Sequence, residues 1–378
     1  MKFRQAGVRG SNPRGLIFIF KMKKDARIEK LAKILIEHSL KIKKNDIVQI
    51  SAGIPARPLI LELYKQIIRK GAYPRVNIDF KGMSSTYYRY ASEEQLRNFP
   101  KISMFEMKNT DALIYLAAPE DRYELAKIPS KKIMHRQKIL EPIDKERMKK
   151  RWVLFYYPVK DYAKDAGMKL SEFEDFVFNS CFIDWKKQSE KMKKLKNILD
   201  KGKIVRIVGK DTDISFSIAG RNAVIGDGTF NMPDGEVYTA PHEDTLNGKI
   251  AFTFPLIEMG REISGIVLEF KNGRLIKASA KKNENILKTM INTDKGASKI
   301  GELGIGCNYN IKKFVKATLF DEKIGGTIHL ALGKAYKECR GTNKSAVHRD
   351  IIKDLRKPFG GKIFIDNKLI QKDGKFLI

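Results

Sequence analysis

The chain has 378 residues, of which 42% are hydrophobic and 31% are charged, and this balance excludes an intrinsically disordered protein and leaves room for two domains. Its 74 lysines and arginines against 44 acidic residues give a formal net charge of +30, which suggests either an anionic partner or lysines on solvated helix faces. The lysines are scattered and rarely interleaved with aromatic residues, so we favour solvated faces and expect nucleic acid to bind only non-specifically to the basic surface.

Cysteine content and hydropathy indicate the compartment. The three cysteines, Cys181, Cys307 and Cys339, form no C-x-x-C pair, so neither a disulfide framework nor a cysteine zinc site is predicted. No run reaches the roughly 18 apolar residues that a membrane span needs. We therefore expect a protein of the reducing cytoplasm that does not associate with a membrane.

Residues 1–21 combine a basic stretch with a short apolar patch at 15–20. The patch is too short for the core of a signal peptide, and no small-residue cleavage site follows it. A clean helical pattern begins only after Met22. We interpret residues 1–21 as a disordered extension or as the result of a start codon assigned too early.

Helices and strands alternate in the part that follows. Apolar residues at helical spacing and short buried runs predict these elements. The predicted helices cover 25–41, 58–68 and 171–200, and the predicted strands cover 46–51, 74–78, 112–117 and 152–157. Because the first strands are joined by a helix, a parallel sheet is predicted.

Strands dominate after residue 203. The predicted strand segments are IVRIVG, ISFSIAG, GEVYTAP, KIAFTF, ISGIVLEF, GRLIKASA and FIDNKLI. Asn272-Gly273 predicts a tight hairpin turn, and helices are predicted only at 283–300 and, more weakly, near 348–356. We therefore predict the class α/β plus α+β, with a parallel-sheet α/β domain at 22–202 and a β-rich domain at 203–378 that carries a metal site.

Residue types that bind metals stand isolated in apolar, strand-like sequence of the second domain. They are Glu236, Glu302, His329, His348 and Asp350. A buried charge must be paired, neutralised or bound to metal, and two divalent cations would satisfy this set. Taken one at a time, these residues have simpler interpretations. His329 would be a hydrogen-bonded core histidine, Asp350 would cap a helix, and Glu302 would simply be exposed.

The His348-x-Asp350 spacing places both side chains on one face if the segment is a strand. His-Arg-Asp also matches the start of a protein-kinase catalytic loop. That loop requires an asparagine five positions after its aspartate, and here the position is Leu355. We therefore reject the kinase interpretation.

Four segments, FNMPDGEVYTAPHEDTLNG, ELGIGCN, DEKIGGTIHLALGKAY and NKSAVHRDII, resemble the signature segments of the M29 metallo-aminopeptidases, the aminopeptidase T and aminopeptidase S type. The resemblance covers about residues 25–378 and is strongest from 228 to 353. It implies that the metal ligands are Glu236, Glu302, His329, His348 and Asp350. It also implies a place for Tyr336 at the metal centre and, more weakly, for the acid Glu322. Arg349 departs from the family, whose members often carry an aromatic residue there.

The implied activity is a metal-dependent aminopeptidase that releases N-terminal amino acids from short peptides, using water activated by two divalent ions of zinc, cobalt or manganese. Glu302 is the first candidate for the proton-transferring carboxylate and Glu322 the second, while Tyr336 would donate to the oxyanion. The resemblance also implies a homodimer that encloses its active sites. The alternatives are another two-metal amidase or dipeptidase on the same site, and a basic nucleic-acid-binding protein with a degenerate site.

Overall fold

The computed structural model describes residues 25–258 and 261–378. The interpretation of residues 1–21 falls outside these residues. Within them, no helix is long and apolar enough to cross a membrane.

The helices lie mostly in the first half of the chain. Their bounds are α1 Ala26–Lys33, α2 Arg57–Arg69, α3 Met83–Tyr90, α4 Glu93–Arg97, α5 Lys101–Lys108, α6 Ser130–Arg147, α7 Lys160–Asp165, α8 Leu170–Cys181, α9 Trp185–Lys201, α10 Glu284–Ile291 and α11 Thr318–Asp321. A π-helical turn, Ile34–Ser39, continues α1, and 3-10 turns lie at Ile54–Ala56 and Lys337–Cys339. The carboxylate of Asp25 caps α1 by accepting the backbone N–H of Arg27 at 2.9 Å.

The strands are concentrated in the second half. Their bounds are β1 Ile47–Gly53, β2 Tyr73–Asp79, β3 Ala112–Ala117, β4 Arg151–Tyr156, β5 Ile204–Gly209, β6 Thr212–Ser217, β7 Val224–Gly226, β8 Asn231–Met232, β9 Glu236–Thr239, β10 Asn247–Ala251, β11 Leu256–Glu258, β12 Arg261–Ile263, β13 Val267–Lys271, β14 Arg274–Ser279, β15 Ile300–Gly306, β16 Thr327–Gly333, β17 His348–Asp354, β18 Gly361–Ile365, β19 Lys368–Lys372 and β20 Lys375–Phe376.

The first half forms a five-stranded parallel sheet in the order β2-β1-β3-β4-β8. Val48 and Ile50 of β1 are fully buried beneath the flanking helices, as expected for a sheet covered on both faces. The second half contains an eight-stranded sheet, β14-β13-β10-β6-β5-β18-β19-β20, and a five-stranded sheet, β17-β16-β15-β9-β7, both antiparallel. The predicted fold class is therefore confirmed.

The tight turn predicted at Asn272-Gly273 joins β13 and β14. Both residues adopt left-handed backbone conformations, with φ of 48° and 71°, which matches the turn that best fits the twist of paired strands. A side chain on Gly273 would also meet the carbonyl oxygen of Glu243 at 2.1 Å. Glycine is therefore required there for both conformation and space.

Two predicted helices differ from the structure. The helix predicted at 283–300 is only the eight residues of α10. The weak helix predicted near 348–356 is wrong, because β17 pairs with β16 over its whole length. The fully buried β16 offers a complete ladder of hydrogen bonds, and this pairing outweighs the local helical spacing.

The division of the chain near residue 202 stays a prediction, but one segment links the two halves physically. Residues 311–324 follow β15, yet their apolar side chains join the hydrophobic core built around the parallel sheet. Phe320 is fully buried there and stacks edge-on against Tyr156 and Phe173. Phe176 of α8 completes this aromatic group.

We expect Phe320→Ala to destabilise the protein by about 3–5 kcal/mol, because it opens a cavity in this aromatic group. The measurement is urea unfolding of the metal-free protein, followed by circular dichroism. Phe105→Ala is the control, since Phe105 is 69% exposed and its removal should change the unfolding free energy by less than about 0.5 kcal/mol. Equal effects of the two variants would contradict the packing described here.

Candidate metal centre

The residues predicted as metal ligands come together on one face of the five-stranded sheet. They lie on four adjacent strands, β9, β15, β16 and β17. They are Glu236, Glu302, His329, His348 and Asp350. The opposite face of the same strands is apolar, and its residues Leu303, Leu330 and Ile351 are buried in the second hydrophobic core. Period-two alternation therefore separates the polar cluster from the core.

Small residues make room for the larger ligands across the sheet. Gly304 pairs with His329, and Ala331 pairs with both Glu302 and Asp350. A side-chain carbon on Gly304 would lie 2.0 Å from Cε1 of His329, so the imidazole occupies the space that only glycine leaves free.

A β-bulge directs Glu302 into the cluster. The pairing between β15 and β16 shifts between Ile300 and Glu302. Gly301 lies at the shift, and any side chain on it would meet the carbonyl oxygen of Gly333 at 2.3 Å. Such bulges commonly redirect side chains beside functional sites.

The carboxylates of Glu302 and Asp350 lie between the two imidazoles. Nε2 of His329 is 3.3 Å from Oε1 of Glu302, 3.6 Å from Oε2 of Glu236 and 3.9 Å from Oδ1 of Asp350. Nε2 of His348 is 3.5 Å from both Oε2 of Glu302 and Oδ1 of Asp350. These atoms converge closely enough to share small ions.

The ring of His348 is oriented by its other nitrogen. Nδ1 lies 2.8 Å from the backbone carbonyl oxygen of Lys334. Because a carbonyl only accepts, Nδ1 must carry the proton and donate it. In this tautomer Nε2 faces the carboxylate cluster with its lone pair, which is the arrangement of most metal-binding histidines.

Buried ligand atoms in the cluster have no hydrogen-bond partner among the described residues. They are Oε2 of Glu236, Oε2 of Glu302, Nδ1 of His329 and Oδ1 of Asp350. Buried polar atoms are normally satisfied, and three buried carboxylate oxygens that lie beside the imidazoles without a donor fit cations. The donor set, with imidazole nitrogens and carboxylate oxygens, suits a divalent metal. That these five residues bind metal stays a prediction.

Glu322, predicted as a weaker family acid, joins the same cluster. One of its oxygens lies within 4.8 Å of ligand atoms of His329 and Asp350. A second group of the same kind comprises Glu302, His348 and Asp350. Asp350 belongs to both groups and is therefore placed to be shared.

Lys323 and Asp234 also belong to the site, although neither was predicted from the sequence. Lys323 is fully buried, and its ammonium contacts Glu322, lies 3.0 Å from Oε1 of Glu236 and 3.7 Å from Oδ1 of Asp234. Asp234 is fixed by the backbone N–H groups of Gly228 and Gly235, at 3.2 Å and 2.9 Å.

Burial and mutual repulsion alter the titration of the cluster. Burial raises the pKa of Glu236 to about 8, against the opposing charge of Lys323. Burial and the charge of Glu322 raise the pKa of Asp350 to about 6. Burial disfavours the cationic form of His329, but the hydrogen bond to Glu302 and the nearby carboxylates prevail and raise its pKa to about 10. In the metal-free protein, the cluster therefore holds protons that bound metal ions would displace.

Tyr336, predicted at the metal centre, lies beside His348, with ring centroids 4.9 Å apart. Burial, reinforced by the charges of Glu302 and Asp350, raises the pKa of the Tyr336 phenol. The phenol therefore keeps its proton at neutral pH and can act as a hydrogen-bond donor. It is 38% exposed, so it borders the cluster and also reaches solvent.

A cavity of about 430 Å³ opens beside His348 and Asp350. Its remaining lining residues are Leu256, Ile257, Glu258, Thr318 and Arg349. Arg349 is held in the wall, where Nη2 donates to Oε1 of Glu258 at 3.2 Å and Nη1 donates to the carbonyl oxygen of His348 at 2.9 Å. The ion pair of Arg349 and Glu258 therefore forms part of the cavity wall.

Comparisons with known proteins place the chain in a family and show its fold. The family profile of the thermophilic metalloproteases (M29) matches residues 24–376. Aminopeptidase 2 of Geobacillus stearothermophilus is 25% identical over 382 residues, which cover 87% of this chain and 92% of that protein. Aminopeptidase T of Thermus aquaticus is 34% identical over 136 residues, or 32% of this chain and 33% of that protein. The solved structure of wild-type AmpT from Thermus thermophilus superposes with a TM-score of 0.78 at 22% identity, covering 93% of this chain and 99% of that one, and shows the same fold.

We expect Gly304→Ala to weaken metal binding by at least about 10-fold, because the added carbon displaces the imidazole of His329. The measurement is isothermal titration of the EDTA-treated protein with Zn²⁺. Gly209→Ala is the control: its nearest new contact is 3.1 Å, to the carbonyl oxygen of Gly360. An unchanged affinity in a folded Gly304→Ala protein would exclude His329 as a ligand.

We expect metal ions to stabilise the protein more as pH rises. Without metal, the raised pKa values of Glu236 and Asp350 mean that the folded state binds more protons than the unfolded state between about pH 4 and 8, so its stability falls as pH rises. The raised pKa of His329 acts in the same direction between about 6.5 and 10. Metal binding needs the deprotonated ligands and so strengthens with pH. The measurement is the melting temperature of metal-free and metal-loaded protein at about pH 5.5 and at about pH 8. A stabilisation by metal that is the same at both pH values would contradict the prediction.

Proposed function

The chain belongs to the thermophilic metalloprotease family M29 and is a peptide hydrolase, and we propose that it releases N-terminal amino acids from short peptides with the help of two divalent metal ions. The observation that carries the proposal is the convergence of three partnerless carboxylate oxygens with two imidazoles on one sheet face. The relatives named aminopeptidase support the choice of exopeptidase activity.

Two ions suit the ligand set better than one. Glu302 contacts both imidazoles, and Asp350 belongs to both possible ligand groups. One ion would be held by His348 with Glu302 and Asp350, and the other by His329 with Glu236, Glu322 and Asp350. Five carboxylates and the one ammonium of Lys323 leave four negative charges in the cluster, which two divalent ions would neutralise.

The reaction needs an activated water, a proton acceptor and a donor to the oxyanion. When bound, divalent ions polarise the peptide carbonyl and lower the pKa of water. Glu302 would take the proton from the attacking water and return it to the leaving amine, with Glu322 as the second candidate for this role. Tyr336 would donate its phenolic proton in a hydrogen bond to the oxyanion. Zn²⁺, Co²⁺ and Mn²⁺ all fit nitrogen and oxygen ligands.

Short peptides would enter through the cavity beside His348 and Asp350. We further propose a homodimer that encloses these cavities. The outer face of α2 supports it, because Leu61, Tyr64 and Ile68 expose an apolar row at helical spacing of the kind that interfaces bury. A reducing cytoplasm fits three cysteines that are all free and buried.

Two other functions explain fewer of these observations. A two-metal amidase or dipeptidase would share the ligands, and the Arg349–Glu258 pair in the cavity wall is the feature that would narrow its substrates. A basic nucleic-acid-binding protein would use the charge of +30. It would leave the ligand cluster without a role, so we do not favour it.

We expect the EDTA-stripped protein to hydrolyse aminoacyl-anilides only after Zn²⁺, Co²⁺ or Mn²⁺ is restored. Glu302→Gln should lower kcat/KM by about 10²–10⁴-fold, because it removes the carboxylate that takes the proton. The measurement is the initial rate on a panel of anilides, esters and short peptides with free and acetylated N-termini.

Glu284→Gln serves as the control. Glu284 is the first residue of α10, and its carboxylate contacts Lys288 and the backbone N–H of Ala280. Cleavage of free N-termini alone supports the aminopeptidase. Equal cleavage of acetylated substrates would favour the amidase. A folded protein that no metal activates on any substrate, and that retains RNA in a salt-sensitive way, would favour the nucleic-acid alternative.

A further inference from the structure

We propose that Lys323 is a positioning residue of the metal centre: its buried ammonium fixes Glu236 and Glu322 so that their remaining oxygen atoms face the metal ions. The inference rests on the proposed function, since it concerns how that centre is assembled. Lys323 itself touches neither substrate nor cavity, because its side chain is 0% exposed.

The two carboxylate oxygens of Glu236 have different contacts. Its Oε1 accepts a hydrogen bond from Nζ of Lys323 at 3.0 Å. Its Oε2 has no hydrogen-bond partner and lies 3.6 Å from Nε2 of His329. With one oxygen held by the ammonium, the other oxygen faces the imidazole of His329. Such hydrogen bonds to ligands orient them and affect metal affinity.

Glu322 is held by the same ammonium. The two acids come from different parts of the chain, since Glu236 begins β9 and Glu322 follows α11. Without a cation between them, their charges would repel each other at short range in a buried site. Lys323 therefore both joins them and sets their separation.

The backbone of Lys323 is itself anchored. Its carbonyl oxygen accepts the N–H of Asn308 at 3.0 Å. The side-chain amide of Asn308 donates to the carbonyl oxygens of Asp234 and Ser180, at 2.8 Å and 3.0 Å. One buried asparagine thus fixes the positions of the ammonium and of its third acidic partner.

Burying a lysine is expensive unless the charge is well paired. Removing the ammonium alone would leave the carboxylates of Glu236 and Glu322 buried without their cationic partner. The pairing therefore holds both acids in place, and both are candidate metal ligands.

The test compares Lys323→Met with Lys353→Met. Lys353 is the matched control, since it is 2% exposed on β17 and its ammonium donates only to the carbonyl oxygens of Lys210 and Ala251. The readouts are the Zn²⁺ dissociation constant, measured by competition with a chromogenic chelator, and the visible spectrum of the Co²⁺-loaded protein, which reports ligand geometry.

We expect Lys323→Met to weaken Zn²⁺ binding by about 10–100-fold and to change the Co²⁺ spectrum, while Lys353→Met leaves both as in the parent protein. On an anilide substrate, kcat should fall with KM nearly unchanged, because Lys323 does not touch the substrate. If Lys323→Met does not fold, Lys323→Gln, which keeps a hydrogen-bond donor without the charge, replaces it with the same expectations for affinity and spectrum.

Parent-like affinity and spectrum in the folded Lys323 variant would overturn the inference and leave the proposed function intact. If the parent protein and Lys353→Met also fail to bind Zn²⁺, the proposed function is overturned, and this inference with it.

Discussion

The burial of negative charge on one face of the five-stranded sheet is the constraint on which the site depends. Glu236, Glu302 and Asp350 approach the imidazoles of His329 and His348 within 4 Å, and the side chains of the three acids are at most 10% exposed. Such a cluster is stable only with protons, an internal cation or metal ions in it. Without metal, Glu236 and His329 retain protons because their pKa values are raised. The same electrostatic demand that makes the cluster costly to fold would be met by the divalent cations that we propose it binds.

The fold meets this demand with an ammonium from the connection between β15 and β16. Residues 311–324 leave the β-rich half, pack Phe320 against Phe173 of α8 in the core of the α/β half, and return with Glu322 and Lys323. Asp321 secures the turn, with its carboxylate oxygens accepting the backbone N–H groups at 315 and 317, both at 2.7 Å. The α/β half therefore contributes to the candidate metal centre without supplying a predicted ligand, since it provides the surface on which the segment is folded.

Much of this was predictable from the sequence, and the exceptions have physical causes. The strands of the parallel sheet and the Asn272-Gly273 turn follow from short-range periodicity and turn chemistry, which act within a few residues. The shared face of His348 and Asp350 was predicted only on the condition that their segment is a strand. Lys323 was not recognised because its burial depends on chain segments far away in sequence, and one lysine is inconspicuous in a chain so rich in them. The strand β17 was mistaken for a weak helix for a related reason, since its partner β16 decides its conformation.

One available signal was the alternation of small and ligand residues along the strands. In β15 the positions after Glu302 on the same face are glycines, and in β16 the position after His329 is Ala331. The residues between them are leucine and isoleucine, which form the core. A slip of one residue in the register of β15 would move Glu302 into that core and bring Leu303 to the ligand face, so burial of the apolar face opposes it. The hydrophobic effect, acting on the opposite side of the sheet, therefore fixes the positions from which the ligands converge.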